Sequence, residues 1–301
     1  MISANKSLGF VILNYNTWEK TILCVKSIFN TYLGKKNIVI VDNQSPNESY
    51  DKLTKYYNVE GFEDVEIVQS GKNGGFSYGN NFGFNYINEK YPDIDKIIIT
   101  NNDIIFQSEA IDRLISGFNH TDDVVMTAPK IYDTEGNKTN IPWKCKPNVM
   151  QELYLADCSL CIYKWEELND NVFAYMVSGC CFAVDRFLFS KIGGFDEKVF
   201  LYNEENIISK KIADHHLKII YCSGASVIHD HGSSTGTQSI FVDKEYAKSA
   251  LYFFKNYERL PHVSLILIKS FLLSRIIAKY VLQKYKDRDG FWKGVKEIVS
   301  C

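Results

Sequence analysis

One carboxylate in the sequence stands where a metal ion could be bound. Asp103 closes the run Asn101-Asn102-Asp103 at the end of an apolar stretch, where a carboxylate is costly unless it faces solvent or a cation. Magnesium and manganese favour oxygen ligands and keep coordination positions for phosphate, so one protein carboxylate and a diphosphate can hold such an ion. Asp103 is therefore a candidate metal ligand. The alternative is an aspartate that caps the next helix.

Two adjacent carboxylates, Glu204 and Glu205, open a segment with helical spacing at 206–213. Glutamates at a helix start commonly compensate the helix dipole and do nothing more. A carboxylate facing a substrate can instead accept a proton from an attacking hydroxyl. Both interpretations remain open at this point.

A third candidate group is His229-Asp230-His231-Gly232, which follows the apolar stretches 218–221 and 225–228. Those stretches predict two strands. Imidazole nitrogens can bind a metal ion or contact phosphate, so His229 is a candidate for either role. The alternative is a pair of surface histidines.

Alternating apolar runs and helical segments predict how these groups are positioned. A helix predicted over 18–32 connects the first two apolar runs, and a loop rich in glycine and asparagine at 71–75 precedes a helix that ends near residue 91. Short apolar runs joined by helices favour a mostly parallel central sheet flanked by helices, an α/β fold. Polar residues follow each run, at the edge where open α/β sheets bind ligands. The predicted strands are 9–14, 37–42, 65–68 and 96–100.

Several functional classes are excluded. The chain has neither G-x-G-x-x-G after a strand nor G-x-x-x-x-G-K-[ST], so the defining loops of Rossmann dinucleotide enzymes and P-loop enzymes are missing. The net charge of -2 and pI near 6.3 give no basic footprint for nucleic acid. We expect no nucleic-acid partner.

The later part of the chain has a different character. Residues 121–170 contain three prolines and predict loops and short strands that face an acceptor. The pattern turns helical from residue 239, and residues 241–301 carry 12 Lys/Arg against 6 Asp/Glu, a net +6 against -8 for the first 240 residues. Residues 260–268 carry no charge, but basic residues follow too soon for a spanning helix of about 20 apolar residues. A helix on an anionic membrane surface is predicted instead.

The N-terminus and the cysteines both bear on the compartment. Residues 1–7 are polar and the apolar stretch 8–13 is short, so we expect no secretory signal and a cytoplasmic protein. The eight cysteines are scattered, and in a reducing compartment most are expected to be buried thiols. Cys158 and Cys161 form a C-x-x-C that could be half of a zinc site with Cys145, but no second close pair completes it.

Six motifs, followed by His229, occur in one order along the chain. They are Val11 to Asn16, Val41 to Ser45, Asn73 to Asn81 with Gly83, Asn101 to Asp103, Ser178 to Cys181, and Gly193 to Asp196 running through Phe200 to Glu205. In order and spacing they resemble the glycosyltransferase family 2 proteins, especially the rhamnosyltransferase-like branch, over roughly residues 8–235. The resemblance implies the GT-A fold, with a Rossmann-like nucleotide-binding half.

The resemblance also implies a domain organisation. A catalytic domain spans 1–238, with its nucleotide-sugar-binding half at about 8–115 and its acceptor-binding half at about 116–238. A basic helical extension at 239–301 follows and is expected to contact the membrane.

The same resemblance implies roles for individual residues. Asp103 and His229 would hold Mg²⁺ or Mn²⁺ against the diphosphate of the donor, and Glu205 would be the catalytic base, with Glu204 as its neighbour or substitute. Tyr15 and Asp42 would recognise the base of the nucleotide. The remaining nucleotide-sugar-binding positions are Asn73, Gly75, Asn80, Asn81, Asn101 and Asn102.

The implied reaction is an inverting, metal-dependent transfer from a UDP- or dTDP-sugar to a hydroxyl of a lipid-linked or oligosaccharide acceptor. Rhamnose is the leading expectation for the transferred sugar. The implied setting is bacterial surface polysaccharide synthesis at the inner face of the cell membrane, and the protein could form an oligomer. This chain departs from the family pattern at Asn101, at Glu205, where the family has aspartate, and at Ile207, where many relatives have a second aspartate. These departures leave open a non-catalytic sugar-nucleotide-binding or scaffold subunit.

Overall fold

The computed structural model describes residues 7–230, 239–282 and 291–300. The strands are β1 (Leu8–Asn14), β2 (Lys36–Asp42), β3 (Val65–Gln69), β4 (Lys96–Asn101), β5 (Ile104–Phe106), β6 (Val124–Tyr132), β7 (Lys138–Thr139), β8 (Val172–Ala174), β9 (Cys181–Asp185) and β10 (Lys218–His229). The helices are α1 (Trp18–Thr31), α2 (Ser49–Glu60), α3 (Gly75–Lys90), α4 (Ala110–Ser116), α5 (Val149–Glu152), α6 (Arg186–Lys191), α7 (Glu204–Asp214), α8 (Ile240–Asn256), α9 (His262–Val281) and α10 (Phe291–Ser300).

These strands form one sheet in the order β3-β2-β1-β4-β9-β6-β10-β5, with β7 beside β6 and β8 beside β10. The pairs β1–β2, β1–β4, β2–β3 and β6–β10 are parallel. Strand β9 runs antiparallel between β4 and β6 and joins the two parallel groups. The predicted mostly parallel α/β sheet flanked by helices is confirmed.

The sheet is buried on both faces, which explains the continuous apolar runs of its strands. Along β1, Phe10 packs into the apolar core with Ile22 and Val25 of α1, while the next residue, Val11, packs into the core on the other face with Phe84 of α3. Since successive side chains of a strand point to opposite faces, each strand contributes to two cores. The sheet therefore lies between two layers of helices.

Two predicted segments differ from the structure. The predicted strands 218–221 and 225–228 are one strand, β10, whose register against β6 shifts between Cys222 and Ser226. Residues 121–170, predicted as loops and short strands, contain the nine-residue strand β6 in the interior of the sheet. Its Pro129 obscured the strand pattern, but it pairs with Cys222 at the edge of that shift, where a missing N–H is tolerated.

The C-terminal helices pack onto the body of the protein. Apolar residues of α8, α9 and α10 form a third core together with Leu153, Val199 and Ile207. The hydroxyls of Tyr252 and Tyr257 both donate to Oδ2 of Asp196, at 2.8 and 2.7 Å. The predicted helical character of this segment is confirmed. No helix within the described residues is long and apolar enough to cross a membrane.

Candidate active site

Polar residues from distant parts of the chain meet in a cleft of about 730 Å³. Asp103 lies in the turn between β4 and β5, His229 ends β10, and Gly179 precedes β9. Glu204 and Glu205 form the first turn of α7. All five residues line the cleft. Because β1, β4, β6 and β10 run in the same direction, their carboxyl ends lie at one edge of the sheet, where ligands bind in such folds.

Asp103 and His229 form a close pair at one end of this cleft. Nε2 of His229 lies 3.1 Å from Oδ1 of Asp103, and both side chains are largely buried. Strand β5 pairs antiparallel with β10, and the N–H of Asp230 donates to the carbonyl of Asp103, which fixes the two backbones. Burial alone would lower the pKa of His229, but the neighbouring Asp103 and Cys180 raise it to about 10.

The donor atoms of this pair fit a divalent cation in part. One carboxylate and one neutral imidazole are ligands that Mn²⁺ accepts, so a bound ion would displace the proton of His229, whereas Mg²⁺ binds oxygen almost exclusively. Among the described residues, no three or more His, Cys, Asp or Glu side chains gather as a metal centre. Cys145 and Cys161 lie close together, Sγ to Sγ 2.6 Å, without further ligands of that kind. A metal at Asp103 and His229 would therefore take its remaining ligands from a bound diphosphate and water.

The side chain of Glu205 accepts a hydrogen bond from the backbone just before β9. The N–H of Gly179 donates to Oε1 of Glu205 at 3.1 Å. Burial raises the pKa of Glu205, and this hydrogen bond opposes the increase because it favours the ionised form. Burial and the charge of Glu205 raise the pKa of Glu204 well above its usual range. Within the described structure, Oε2 of Glu204 is buried and has no hydrogen-bond partner. Of the two, Glu205 is the one prepared to carry the negative charge.

The turn that leads into α7 has an unusual backbone. Tyr202 and Asn203 both have a positive φ, 68° and 62°, which costs free energy for residues other than glycine. Gly75 packs closely against the segment before this turn. A Cβ on Gly75 would lie 2.0 Å from the carbonyl oxygen of Phe200, so no other residue fits there. The N–H of Phe76 also donates to that oxygen at 3.0 Å. The start of α3 and the start of α7 are therefore locked together beside the cleft.

The predicted nucleotide-sugar-binding residues fall into two groups. Asn101 lines the cleft, Asn73 is exposed, and Tyr15 is half-buried at the edge of the sheet. Oδ1 of Asn73 accepts from the N–H of Gly75 at 3.2 Å, and the buried Asn80 donates to the carbonyl of Phe76 at 3.1 Å. Asn73, Gly75 and Asn80 thus shape the loop before α3 and the start of that helix.

Asp42, Asn102 and Asn81 instead make contacts within the protein. Asp42 is fully buried and accepts from Asn14 Nδ2 at 2.8 Å and from both the N–H and the hydroxyl of Ser45. Nδ2 of Asn102 lies 3.2 Å from the same Asn14 side chain. Nδ2 of Asn81 donates to the carbonyl of Phe195, and Oδ1 of Asn81 accepts from the N–H of Phe195, both at 3.0 Å. In this structure the three support strand and loop ends, and their direct contact with a nucleotide stays a prediction.

Sequence reasoning missed several residues of the cleft, four of which carry an aromatic ring or a carboxyl group, and it named His231, which lies outside the described structure. Trp143, Glu152, Tyr154 and Tyr246 all line the cleft. The first three lie in a stretch without periodicity, and Tyr246 lies in α8, which was predicted to be an extension. No sequence pattern marks them, although aromatic residues are frequent in this stretch. His231 lies outside the described residues.

Solved structures share this arrangement of sheet and helices. GalNAc-T7, solved with UDP, GalNAc and Mn²⁺, matches with a TM-score of 0.62 at 16% identity, over 98% of this chain and 57% of its own length. A mannosyltransferase from Pyrobaculum calidifontis, solved with GDP-Man and Mn²⁺, matches with a TM-score of 0.58 at 11% identity, over 97% of this chain and 73% of its own. The fold is the GT-A fold of glycosyltransferases.

The sequence places the chain within one family of that class. The model of glycosyl transferase family 2 matches residues 10–193, and the chain belongs to this family. A relative from Haloferax volcanii, the low-salt glycan biosynthesis hexosyltransferase Agl10, is 24% identical over 277 residues, 90% of this chain and 84% of the relative. An N-acetylglucosaminyl-diphospho-decaprenol L-rhamnosyltransferase from Mycobacterium tuberculosis is 23% identical over 214 residues, 66% of this chain and 68% of the relative. The predicted family resemblance is confirmed.

Proposed function

We propose that this protein is an inverting, metal-dependent glycosyltransferase that moves a sugar from a UDP- or dTDP-sugar to a hydroxyl of a lipid-linked or oligosaccharide acceptor in surface polysaccharide synthesis. The observation that carries the proposal is the placement of Glu205, fixed by the Gly179 N–H, in the same cleft as the Asp103–His229 pair. Glycosyl transfer needs a proton acceptor at the attacking hydroxyl and stabilisation of the departing diphosphate.

On the donor side, Asp103 and His229 would hold Mn²⁺ or Mg²⁺. When bound, the ion neutralises the negative charge that develops on the leaving diphosphate. The short distance between the two side chains supports this assignment, as does their position at the carboxyl edge of the sheet. Both solved relatives described above carry Mn²⁺ together with a nucleotide or nucleotide sugar.

On the acceptor side, Glu205 accepts the proton of the attacking hydroxyl. The Gly179 N–H orients the carboxylate and favours its ionised form. Glu204, whose pKa lies well above the usual range, stays protonated beside it and adds no second negative charge. Attack from the face opposite the diphosphate inverts the anomeric carbon.

The names of the relatives guide the choice of sugar and acceptor. A rhamnosyltransferase and a hexosyltransferase of glycan biosynthesis match this chain, which keeps rhamnose as the first candidate and other hexoses behind it. The mycobacterial relative is named for a diphospho-decaprenol acceptor, which supports a lipid-linked acceptor here.

A lipid-linked acceptor also agrees with the surface of α9, which would hold the enzyme at the inner face of the cell membrane. This helix contains no acidic residue. Its outer face exposes apolar side chains, and we refer to them as the α9 stripe: Val263, Ile266, Leu267, Ile277 and Val281. The helix also carries Lys269, Arg275 and Lys279; Lys279 pairs with Asp243, and Lys269 donates to the carbonyl of Val299. Apolar area together with cationic residues is the combination that binds anionic bilayers.

A Glu205→Gln variant tests the proposed function. It should bind UDP in the presence of Mn²⁺ as the wild type does and lose turnover by roughly 100-fold or more. The matched control is Glu135→Gln, which changes an exposed glutamate in the turn before β7 and should leave turnover unchanged. Unchanged turnover in Glu205→Gln would remove this residue from the mechanism. A wild type that binds UDP without consuming any UDP- or dTDP-sugar would favour the non-catalytic subunit.

A further inference from the structure

We infer that Trp143, Glu152 and Tyr246 form a subsite for a neutral sugar ring of the acceptor, an inference that rests on the proposed function. All three residues line the cleft that also contains Glu205. Glu152 ends the short helix α5, Trp143 precedes that helix, and Tyr246 lies in α8. The mechanism above uses none of them.

Glu152 is the first reason to expect a ligand at this place. Its Oε2 is buried, and the described part of the chain offers it no hydrogen-bond partner. A buried carboxyl oxygen without a partner costs about 1–3 kcal/mol, so a ligand hydroxyl that bonds it gains from a site already desolvated. Glu152 lines the cleft, so a ligand that reaches this carboxyl group would meet an oxygen whose hydrogen-bonding capacity is unused.

The protonation state of Glu152 indicates a neutral ligand. Burial, together with the nearby charge of Glu258, raises the pKa of Glu152 to about 8, and Lys146 opposes the increase. Lys146 is itself paired with Glu258, Nζ to Oε2 2.6 Å. At neutral pH the carboxyl group of Glu152 is therefore mainly protonated, and it can both donate to and accept from a sugar hydroxyl or an acetamido group.

The two aromatic residues supply flat apolar surfaces at anchored positions of the chain. The N–H of Trp143 donates to the carbonyl of Met176 at 2.9 Å, and its own carbonyl accepts from Tyr175 at 2.8 Å. The hydroxyl of Tyr246 donates to the carbonyl of Glu152 at 3.1 Å. These bonds fix the backbone of Trp143 and the ring of Tyr246, and an aromatic side chain has few rotatable bonds to immobilise when the apolar face of a sugar packs on it.

The location of the subsite relative to the base favours the acceptor over the donor. Tyr154, two residues after Glu152, has its pKa raised by burial and by the charge of Glu205, so the end of α5 lies near the base. The ring of Tyr246 packs edge-on against Tyr202, which directly precedes Asn203 and Glu204. The donor diphosphate is assigned to the opposite group, Asp103 and His229. A sugar held by Trp143, Glu152 and Tyr246 would thus present a hydroxyl toward Glu205.

This arrangement also gives α8 a function in the site. Tyr246 reaches the cleft because α8 packs on the body through a bond from Ser249 Oγ to the carbonyl of Leu201, 2.7 Å long. Leu201 lines the same cleft. The C-terminal helices would then contribute to acceptor selection as well as to the proposed membrane contact.

Saturation-transfer NMR on the full chain tests the inference, with methyl β-glucoside and methyl N-acetyl-β-glucosaminide as probes in the presence of UDP and Mn²⁺. At least one probe should receive saturation in the wild type, and Trp143→Ala and Glu152→Ala should each weaken the signal by tenfold or more. Glu152→Gln keeps hydrogen-bonding atoms at that position and Tyr246→Phe keeps the aromatic ring, so both variants should retain the saturation signal. Glu135→Gln is the matched control for the acid.

A thermal shift with UDP and Mn²⁺, recorded for every variant, separates this inference from the proposed function. If the shift persists while Glu152→Ala and Trp143→Ala keep the full NMR signal, the subsite is wrong and the donor site stands. The same holds if neither probe is saturated in the wild type. If the wild type shows no shift with either UDP or dTDP in the presence of Mn²⁺, the proposed function itself fails.

Discussion

The backbone N–H of Gly179 donates a hydrogen bond to Oε1 of Glu205, at a distance of 3.1 Å. This contact connects the residues just before β9 with the first turn of α7, and the two bonded residues are 26 positions apart in the chain. A Cβ added to Gly179 would lie 2.9 Å from that oxygen and 3.3 Å from the next two carbons of the side chain. Glycine at position 179 therefore allows the backbone to approach the proposed base and to orient it.

A Gly179→Ala substitution should displace the Glu205 carboxylate without unfolding the protein. Turnover should fall by roughly 10- to 100-fold, since a misplaced base loses much of its contribution, while UDP binding persists. Steady-state kinetics and a UDP thermal shift measure the two effects. Gly224→Ala is the control, because its added methyl group meets only the flexible end of the exposed Arg113. Equal turnover in both variants would show that the Gly179 contact is not required.

Asp103→Asn should remove the contribution of manganese to nucleotide binding. An amide is a weaker ligand than a carboxylate, so the increase in Tm that UDP gives with Mn²⁺ should fall to the value without metal. Turnover should drop by about 100-fold or more. Asp230→Asn changes a neighbouring, half-exposed aspartate that pairs with Lys20 at 2.9 Å, and it should behave as the wild type. A full Mn²⁺-dependent shift in Asp103→Asn would contradict the metal assignment.

Glu204 makes stability depend on pH in a defined direction. Its pKa is raised in the folded protein, so the folded state binds more protons than the unfolded state, and stability falls as the pH rises above the ordinary carboxyl pKa. Glu204→Gln does not ionise and avoids this loss. The Tm of the variant should match the wild type near about pH 4 and exceed it by a growing margin toward about pH 8.

Differential scanning calorimetry across this range measures the effect. Glu60→Gln, at an exposed position at the end of α2, is the control and should give a difference that does not change with pH. A constant difference for Glu204→Gln as well would mean that Glu204 is not the buried, protonated member of the pair.

The α9 stripe should bind anionic bilayers. In flotation with vesicles of phosphatidylglycerol and phosphatidylcholine, the wild type should float, and Ile266→Asp with Leu267→Asp should reduce the floating fraction at least fivefold. Aspartate both removes apolar area and repels the anionic surface. Leu33→Asp replaces an equally apolar and more exposed leucine elsewhere and should float as the wild type does. Equal flotation of the two mutant proteins would exclude the stripe as the contact.

Much of the amino-terminal half could be predicted from the sequence because its signals are local. The apolar runs of β1, β2 and β4 and the helical spacing of α1 each lie within a short window. Strand β6 was missed because a proline interrupts its pattern, although the register shift of β10 accommodates that residue. Strand β9 was missed because its antiparallel place between β4 and β6 depends on pairing partners far away in the chain.

In the candidate site, too, the residue types could be predicted from the sequence and their spatial arrangement could not. Asp103, Glu205 and His229 could be named from their types, their positions after predicted elements and the family resemblance. Their distances could not, because residues from β4, α7 and β10 meet only when the sheet has formed. Asp42 and Asn102 were named in the same way; the structure shows their side chains bonded within the protein, and their contact with a nucleotide stays a prediction.

By itself the sequence determined the α/β class, the order of the strands and helices in the amino-terminal half, and the residue types available for metal binding and proton transfer. Only the tertiary structure decided that His229 lies 3.1 Å from Asp103, that the Gly179 N–H orients Glu205, and that Tyr246 of the C-terminal helices reaches the cleft. The physical reason is that periodicity and residue type act over a few positions of the chain. The site is made by contacts between segments that only strand pairing and core packing bring together.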